Sequence, residues 1–394
     1  MSKYVQLGDV AKIYSGGTPS RTNPAYWNGD IPWVKTAQIQ NGVITAKNVE
    51  EWITEEGVRN SSAKMVPKGT ILMAMYGQGK TRGQVAILGI DATINQACAA
   101  IQLNNRASRD FVYQQLLFRY NSIRALSNSG SQENLSAGLI REIEFPFPSF
   151  PDQVAIADLL STWDAASEKT ERLVAAKERR FGVLRERYLQ KTRQSKRAKL
   201  QTVTRESTAR NGVRLGRDAI MAVTKKVGMR SMKEETIAAG IERYKVVRPR
   251  AFAYNPMRLN IGSIAMSPFD ADVLVSPDYV VFECDESRLL PGYLNHLRFS
   301  RHWTNYFENA GNGSVRVRIY YDDLSAFTFD LPPVDVQKRI VDFLDAVGLE
   351  IDLLKKQAEA CRRQKRGLMQ KLLTGEWRVK VCTDQLGLTL TDTD

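Results

Sequence analysis

The sequence predicts a mixed α+β chain: two globular domains of interleaved strands and helices, separated by a long antiparallel coiled coil, with an internal pseudo-two-fold repeat. Three observations carry this expectation. First, identities recur at an offset of 184 residues. Pro148, Gln153, Ile156, Asp158 and Leu160 match Pro332, Gln337, Ile340, Asp342 and Leu344; Ala176, Arg179, Leu184 and Leu189 match Ala360, Arg363, Leu368 and Leu373. Gapless self-similarity of this kind marks a duplicated plan. Second, an apolar seam with a 3.5-residue period runs through both copies. Third, each seam follows a period-2 strand: Ile143, Phe145 and Phe147 in one copy, Phe327, Phe329 and Leu331 in the other.

In chain order, residues 1–150 make the first globular domain, 151–198 a central helix, 199–333 the second globular domain, 334–375 a second helix and 376–394 a tail. Leu7 and Gly8 open the first globular part. Leu215 and Gly216, 208 residues on, open the second, which is thereby 24 residues shorter. Each part has a helical segment (110–126; 291–307), a Gly/Ser/Asn turn (128–130; 311–314) and a closing strand. The first seam reads Ile156, Leu160, Trp163, Ser167, Thr170, Val174, Lys177, Phe181, Leu184 and Tyr188. The second reads Ile340, Leu344, Val347, Ile351, Leu354, Ala358, Cys361, Lys365, Leu368 and Leu372. Each helix starts after prolines and runs about 40 residues, ~60 Å at ~1.5 Å per residue. The basic, aperiodic stretch 191–199 reads as an exposed connection. Two seams of equal length pair only if the second globular part sits at the far end of the first helix, which makes a dumbbell within one chain.

The chain has 394 residues, 56 Lys+Arg against 43 Asp+Glu, and a net charge of +13. At 43% hydrophobic residues it can bury a core. Only two histidines are present, which argues against histidine-rich metal sites and most histidine-dependent catalysis. The four cysteines form no CxxC pair, as expected of reduced thiols. No apolar run approaches the ~20 residues that span a bilayer, and residues 1–8 lack a signal-peptide pattern. A cytoplasmic protein with no membrane contact is expected. A basic protein there most often meets nucleic acid, which is the expectation that charge alone suggests.

No catalytic motif is complete. Gly79, Lys80 and Thr81 resemble the end of a phosphate-binding loop, but the glycine required five residues earlier is Ala74. Pro277, Asp278, Glu283 and Asp285 lack the lysine of a nuclease site. Gly311, Asn312 and Gly313 lack the third glycine of a dinucleotide site. Asn255, Pro256 and Met257 stop short of the amino-methyltransferase motif, and no glycine-rich loop follows a strand to hold S-adenosylmethionine. His302 beside Trp303 reads as packed. No catalytic residue and no metal ligand is predicted.

Recognition chemistry is left. In the first domain Arg21 precedes Tyr26, Trp27 and Trp33, and Lys35, Thr36, Gln38, Gln40 and Asn41 follow. The loop with Gln78, Lys80 and Arg82 brings donors and positive charge to a phosphate or base edge. In the second domain Lys225, Lys226, Arg230 and Lys233, then Arg258 and Asn260, then Arg316 and Arg318 are candidates. Amides pair with adenine edges and Arg or Lys with guanine edges. Arg316 and Arg318 alternate with Val315, Val317 and Ile319, which places both on one face of a strand.

At this point the chain resembles the specificity subunits of type I restriction–modification enzymes. The residues are Val5 to Val10 in the order Val-Gln-Leu-Gly-Asp-Val; Gly16, Gly17, Thr18, Pro19; and Ile31, Pro32, Trp33. They continue with 77–83 before Val85 and Ala86; Thr93, Ile94, Asn95, Gln96, Ala97; the helix starts at Gln153 and Gln337; and Leu372, Leu373, Thr374, Gly375. The resemblance implies a non-catalytic, DNA-reading subunit without a cofactor of its own. Each globular domain would read one half of a bipartite asymmetric target in double-stranded DNA. The coiled coil would set the spacer and dock two methyltransferase subunits that hold S-adenosylmethionine; restriction/translocase subunits would use ATP and Mg²⁺. Two other classes fit the same composition: a stand-alone DNA-modifying enzyme and a coiled-coil scaffold with no DNA role.

Overall fold

The computed structural model describes residues 3–77, 79–126, 134–190, 193–225, 228–309, 318–381 and 388–392. The chain divides into two compact units, Met1–Thr170 with Gln357–Asp394, and Glu171–Lys356. The division falls inside the two long helices.

Unit 1 begins with β1 (Lys3–Gln6), α1 (Leu7–Val10), β2 (Ala11–Ser15), β3 (Trp27–Val34), β4 (Val43–Ile44), β5 (Glu51–Ile53), α2 (Glu55–Arg59), β6 (Ile71–Ala74), β7 (Val85–Leu88), β8 (Thr93–Ile94) and β9 (Cys98–Leu103). Next come α3 (Arg109–Phe118), α4 (Tyr120–Ala125), α5 (Ala137–Arg141), β10 (Glu144–Phe147) and the long helix α6 (Phe150–Tyr188). The main sheet has the order β2-β9-β6-β7-β4; a smaller one has β5-β3-β8, and β1 pairs antiparallel with β10. β6 reads Ile-Leu-Met-Ala without alternation because both its faces are covered. Ile71 and Met73 face a core with Phe111, Ile156 and Leu160, whereas Leu72 and Ala74 face Val34, Ile44 and Cys98.

Unit 2 contains β11 (Lys196–Lys199), β12 (Thr204–Ser207), β13 (Met221–Thr224), β14 (Gly228–Ser231), β15 (Lys245–Val247), β16 (Phe252–Tyr254), β17 (Ile264–Met266), β18 (Val273–Val275) and β19 (Val280–Cys284). It continues with α7 (Pro291–Leu297), α8 (Arg301–Asn309), α9 (Tyr321–Ser325), β20 (Thr328–Leu331) and the long helix α10 (Val334–Leu373). β21 (Trp377–Val381) pairs antiparallel with β22 (Leu388–Asp392) and belongs to unit 1. The main sheet of unit 2 has the order β12-β19-β16-β17, and β11 pairs with β20. This is the order of the first four strands in unit 1.

Strand pairing corrects the expected register of the second domain. The Leu7 N–H donates to Ile143 O and the Leu200 N–H donates to Phe327 O, both at 2.9 Å. Both leucines are fully buried. Leu200, 193 residues after Leu7, is therefore the counterpart, not Leu215. A two-residue match carries too little to set a register; a ladder bond beneath a buried leucine does. The expected connection over 191–199 is corrected as well: α6 ends at Tyr188, and Lys196–Lys199 is a strand. Its side chains are nevertheless mostly exposed. The helical segments 110–126 and 291–307 are each two helices. The turns 128–130 and 311–314 lie outside the described residues.

Most seam positions are buried or half-buried; Tyr188, at the end of the first seam, is exposed. Ile156, Leu160, Ile340, Leu344, Ile351 and Leu372 are buried, and Trp163, Val174, Phe181, Leu184, Val347, Leu354 and Leu368 are half-buried. In unit 1 the first turns of α6 pack with the last turns of α10: Ile156 and Leu160 share a core with Leu372 and Leu373, and Asp164 pairs with Lys365. In unit 2 Lys177 pairs with Glu350, Glu178 with Lys355, and the Tyr188 ring lies 4.8 Å from Phe343. Within each unit the helices run antiparallel.

The helix starts use one device twice. Gln153, fully buried, accepts from Ser108 N–H (2.8 Å) and donates to Pro148 O (3.0 Å) and Arg106 O (3.4 Å). Gln337, also fully buried, accepts from Leu290 N–H (2.8 Å) and donates to Arg288 O (2.8 Å) and Pro332 O (2.9 Å). Ser108 and Leu290 precede α3 and α7. Each glutamine thus satisfies backbone groups that burial would otherwise strand.

Candidate nucleic-acid interface

Composition singled out two loops, 77–83 and the stretch around Arg258 and Asn260, without relating them. In the fold they occupy one topological place: the first joins β6 to β7, the second joins β16 to β17.

In unit 1 the β6–β7 loop turns on glycines at φ +136° (Gly77), +64° (Gly79) and +81° (Gly83). Lys80 is exposed, and its backbone oxygen accepts from Tyr120 Oη at 2.6 Å. Gln78 lies outside the described residues. Arg82 corrects the expectation: it is only 6% exposed, and its backbone oxygen accepts from Arg124 at 3.1 Å, so it is packed into the unit instead of offered to DNA.

The second cluster of unit 1 forms around Glu51. Arg21 pairs with it at 2.5 Å and lies 3.7 Å above the Trp27 ring and 5.0 Å from Trp33. Lys35 pairs with Glu51 at 2.5 Å and with Glu50 at 3.2 Å. Arg21, then Lys35, hold the Glu51 carboxyl below the usual carboxylate range; hydrogen bonding to Glu51 raises the Lys35 ammonium. Trp33 is buried and donates from Nε1 to Gly17 O at 2.9 Å. Gly16 and Gly17 are required beneath it, since a Cβ on Gly16 would meet Ile94 O at 1.9 Å. Thr18 bonds Gln96, which gathers the Gly-Gly-Thr and Asn-Gln motifs at one spot. Thr36 is half-buried at the start of the turn Thr36–Gln38. Gln38 is the second correction: its Oε1 accepts from Lys35 N–H at 2.6 Å and its Nε2 is sealed from solvent, so the amide serves its own turn. Asn41 is exposed at φ +53°, its Oδ1 accepting from Val85 N–H at 3.2 Å.

In unit 2 Lys225 sits exposed on the β13–β14 turn and Arg230 exposed on β14; Lys226 lies outside the described residues. Arg258 and Asn260 are exposed on the β16–β17 loop. Lys225 packs over Gly262 of that loop and, with Asn260, Phe299 and Trp303, lines a cavity of about 120 Å³. Arg318 is exposed, with Tyr320 Oη at 3.4 Å, and its neighbour Ile319 donates from N–H to Pro256 O at 3.1 Å. Residues 318–320 are irregular; the rest of the expected strand, Val315 to Val317 with Arg316, lies outside the described residues. Lys225, Arg258, Asn260 and Arg318 are thus brought to one locality.

Among the described residues no cluster of His, Cys, Asp and Glu is placed to hold a metal ion, and no helix is long and apolar enough to cross a membrane. Glu51 was missed in the sequence. An acidic residue in a basic region has no signature until the β3–β5 ladder sets it opposite Trp33.

Two α/β units with a shared strand order, each leading through a buried glutamine into a long helix, define a class of internally duplicated two-unit proteins. The family model for the type I restriction modification DNA specificity domain matches residues 2–176 and 248–361, and the chain belongs to that family. The MjaIX type I restriction enzyme specificity subunit of Methanocaldococcus jannaschii is 29% identical over 170 residues, 42% of this chain and 39% of the relative. The EcoR124I/EcoR124II specificity subunit of Escherichia coli is 27% identical over 164 residues, 40% of each. The chain therefore spans about two fifths of those relatives. Among solved structures, the type I restriction-modification S subunit from M. genitalium aligns with TM-score 0.58 and 13% identity over 94% of this chain and 96% of that one. The HsdS subunit from Thermoanaerobacter tengcongensis aligns with TM-score 0.51 and 16% identity over 95% and 96%. At such identities the likeness is one of fold.

Proposed function

We propose that this chain is the non-catalytic, sequence-specific DNA-binding subunit of a type I restriction–modification complex. Each globular part reads one half of a bipartite asymmetric target. The two long helices act as an antiparallel coiled coil that sets the unread spacer and docks two methyltransferase subunits. Those subunits supply S-adenosylmethionine chemistry on adenine, and restriction/translocase subunits supply the ATP- and Mg²⁺-dependent steps, all in the cytoplasm. The observation that carries this reading is the equivalence of the β6–β7 and β16–β17 loops: polar, cationic tips at one place in two sheets of the same order. The charge of +13 supports contact with phosphates, which steers and strengthens binding in a salt-dependent way.

The experiment is a genome-wide methylation map of the source strain with and without this chain. Two fixed half-sites separated by unspecified bases are expected, and both vanish without the chain; methylation that persists unchanged sinks the reading. The spacer role has its own test. Four residues inserted at the middle of each long helix add ~6 Å, close to two base pairs at ~3.4 Å each. The mapped spacer should lengthen with both half-sites unchanged.

A further inference from the structure

The β16–β17 loop presents its side chains in a fixed pattern. Pro256 and Leu259 are buried, whereas Met257, Arg258, Asn260 and Ile261 all face outward, Met257 43% and Ile261 53% exposed. The backbone behind them is locked. Asn255 Oδ1 accepts from Met257 N–H (2.9 Å), the Gly262 N–H donates to Leu259 O (2.8 Å) and the Ser263 N–H to Arg258 O (3.0 Å). Ser263 Oγ donates to Val223 O inside the unit at 2.8 Å, and Gly262 sits at φ +86°, where a side chain is disfavoured. A slack loop would fold its methionine and isoleucine onto the protein. This one holds both in water, on either side of the Arg258 guanidinium and the Asn260 carboxamide, whose Oδ1 also accepts from Ile261 N–H at 3.0 Å and whose amine end carries the reading. Single exposed apolar side chains are ordinary; two on one locked turn, interleaved with groups that suit base edges, make a reading surface.

We infer that Met257 and Ile261 are specificity-determining residues that contact thymine methyl groups in the half-site read by unit 2. The inference rests on the DNA-reading function proposed above. In the major groove guanine offers acceptors to Arg, adenine offers a donor and acceptor to an amide, and thymine offers the C5 methyl, the one apolar group there. Every adenine read by an amide has a thymine on the opposite strand. Apolar side chains flanking Asn260 therefore meet a methyl group where further cations would find nothing to pair with.

The test uses the full chain in complex with its modification subunits and a duplex carrying the mapped target. Each thymine is replaced in turn by deoxyuridine, which removes only the methyl group. The wild-type complex should lose about fourfold in affinity at one or two thymines of a single half-site, the worth of one buried methyl. The Met257→Ala/Ile261→Ala variant should be indifferent to those replacements, yet keep its response to base changes in the other half-site. Met257→Leu should preserve the wild-type response. Equal responses of wild type and double variant at every thymine, or no response at any, overturn the inference, as does a half-site without an A·T pair. A double variant that no longer joins its partner subunits assigns the two side chains to protein docking and overturns it too. If the wild-type complex does not prefer its target to a scrambled duplex, it is the DNA-reading function itself that fails.

Discussion

The two loops at the same place in the two sheets are built from different parts. The β6–β7 loop turns on three glycines at positive φ, carries the exposed Lys80 and has two backbone oxygens held by Tyr120 and Arg124 from α4. The β16–β17 loop has two buried anchors, short backbone bonds and four outward side chains. Behind these tips the frames hardly differ. Gln153 and Gln337 each bond three backbone groups in corresponding positions, and Leu7 and Leu200 each donate to the residue before a closing strand. Burial explains the contrast. A buried amide has few tolerable replacements, because a lost partner leaves a polar group without water. An exposed tip has many, so it is free to specialise.

The largest effect should come from breaking the shared frame. Gln153→Met keeps length and volume but orphans Ser108 N–H and two carbonyls, at a cost of about 3 kcal/mol. Gln337→Met should cost the same, read as equally lowered urea midpoints. Unequal losses would mean that the two helix starts share geometry without sharing energetics.

A smaller effect should separate the tips. Arg258→Ala is expected to lose about 2 kcal/mol at one base pair of one half-site. Lys80→Ala should weaken all sequences alike and lower the salt slope by about 1. Competition binding at several salt concentrations reads both. A uniform loss for Arg258→Ala would make it a phosphate contact and remove the asymmetry between the loops.

What the sequence made legible follows the same division. The ends of the seam, Ile156 and Leu160 with Leu372, were readable because apolar periodicity there coincides with burial. The two loops were readable as places, since polar clusters between strand patterns lie at the surface. Individual roles were not. Arg82 and Gln38 have the chemistry of DNA contacts, yet tertiary packing buries the first, and the second turns back onto Lys35 N–H, three residues before it in its own turn. Leu215 matched Leu7 by letter, while the ladder selected Leu200. Glu51 joined the site through cross-strand pairing that no local pattern announces.

Glu51 also offers the finest test of the comparison. Unit 1 positions Arg21 and Lys35 with a carboxylate, whereas unit 2 positions Arg258 with backbone bonds. Both Glu51 pairs are partly exposed, so Glu51→Gln should cost under about 1 kcal/mol in stability. Its pH dependence has a definite sign. The carboxyl is held below its ordinary range by Arg21 and Lys35. The stabilisation is therefore present above the ordinary glutamate pKa and is lost as the pH falls through the lowered one. Melting temperatures of wild type and variant should differ near neutrality and converge in acid. At neutral pH the variant should bind non-target DNA more tightly, since two cations lose their acidic partner, and should discriminate less in the first half-site, since Arg21 is no longer fixed over Trp27. A variant with tighter binding and intact discrimination would make Glu51 an electrostatic brake. Discrimination in the first half-site would then have to come from the Trp27–Trp33 pair and not from the placement of Arg21.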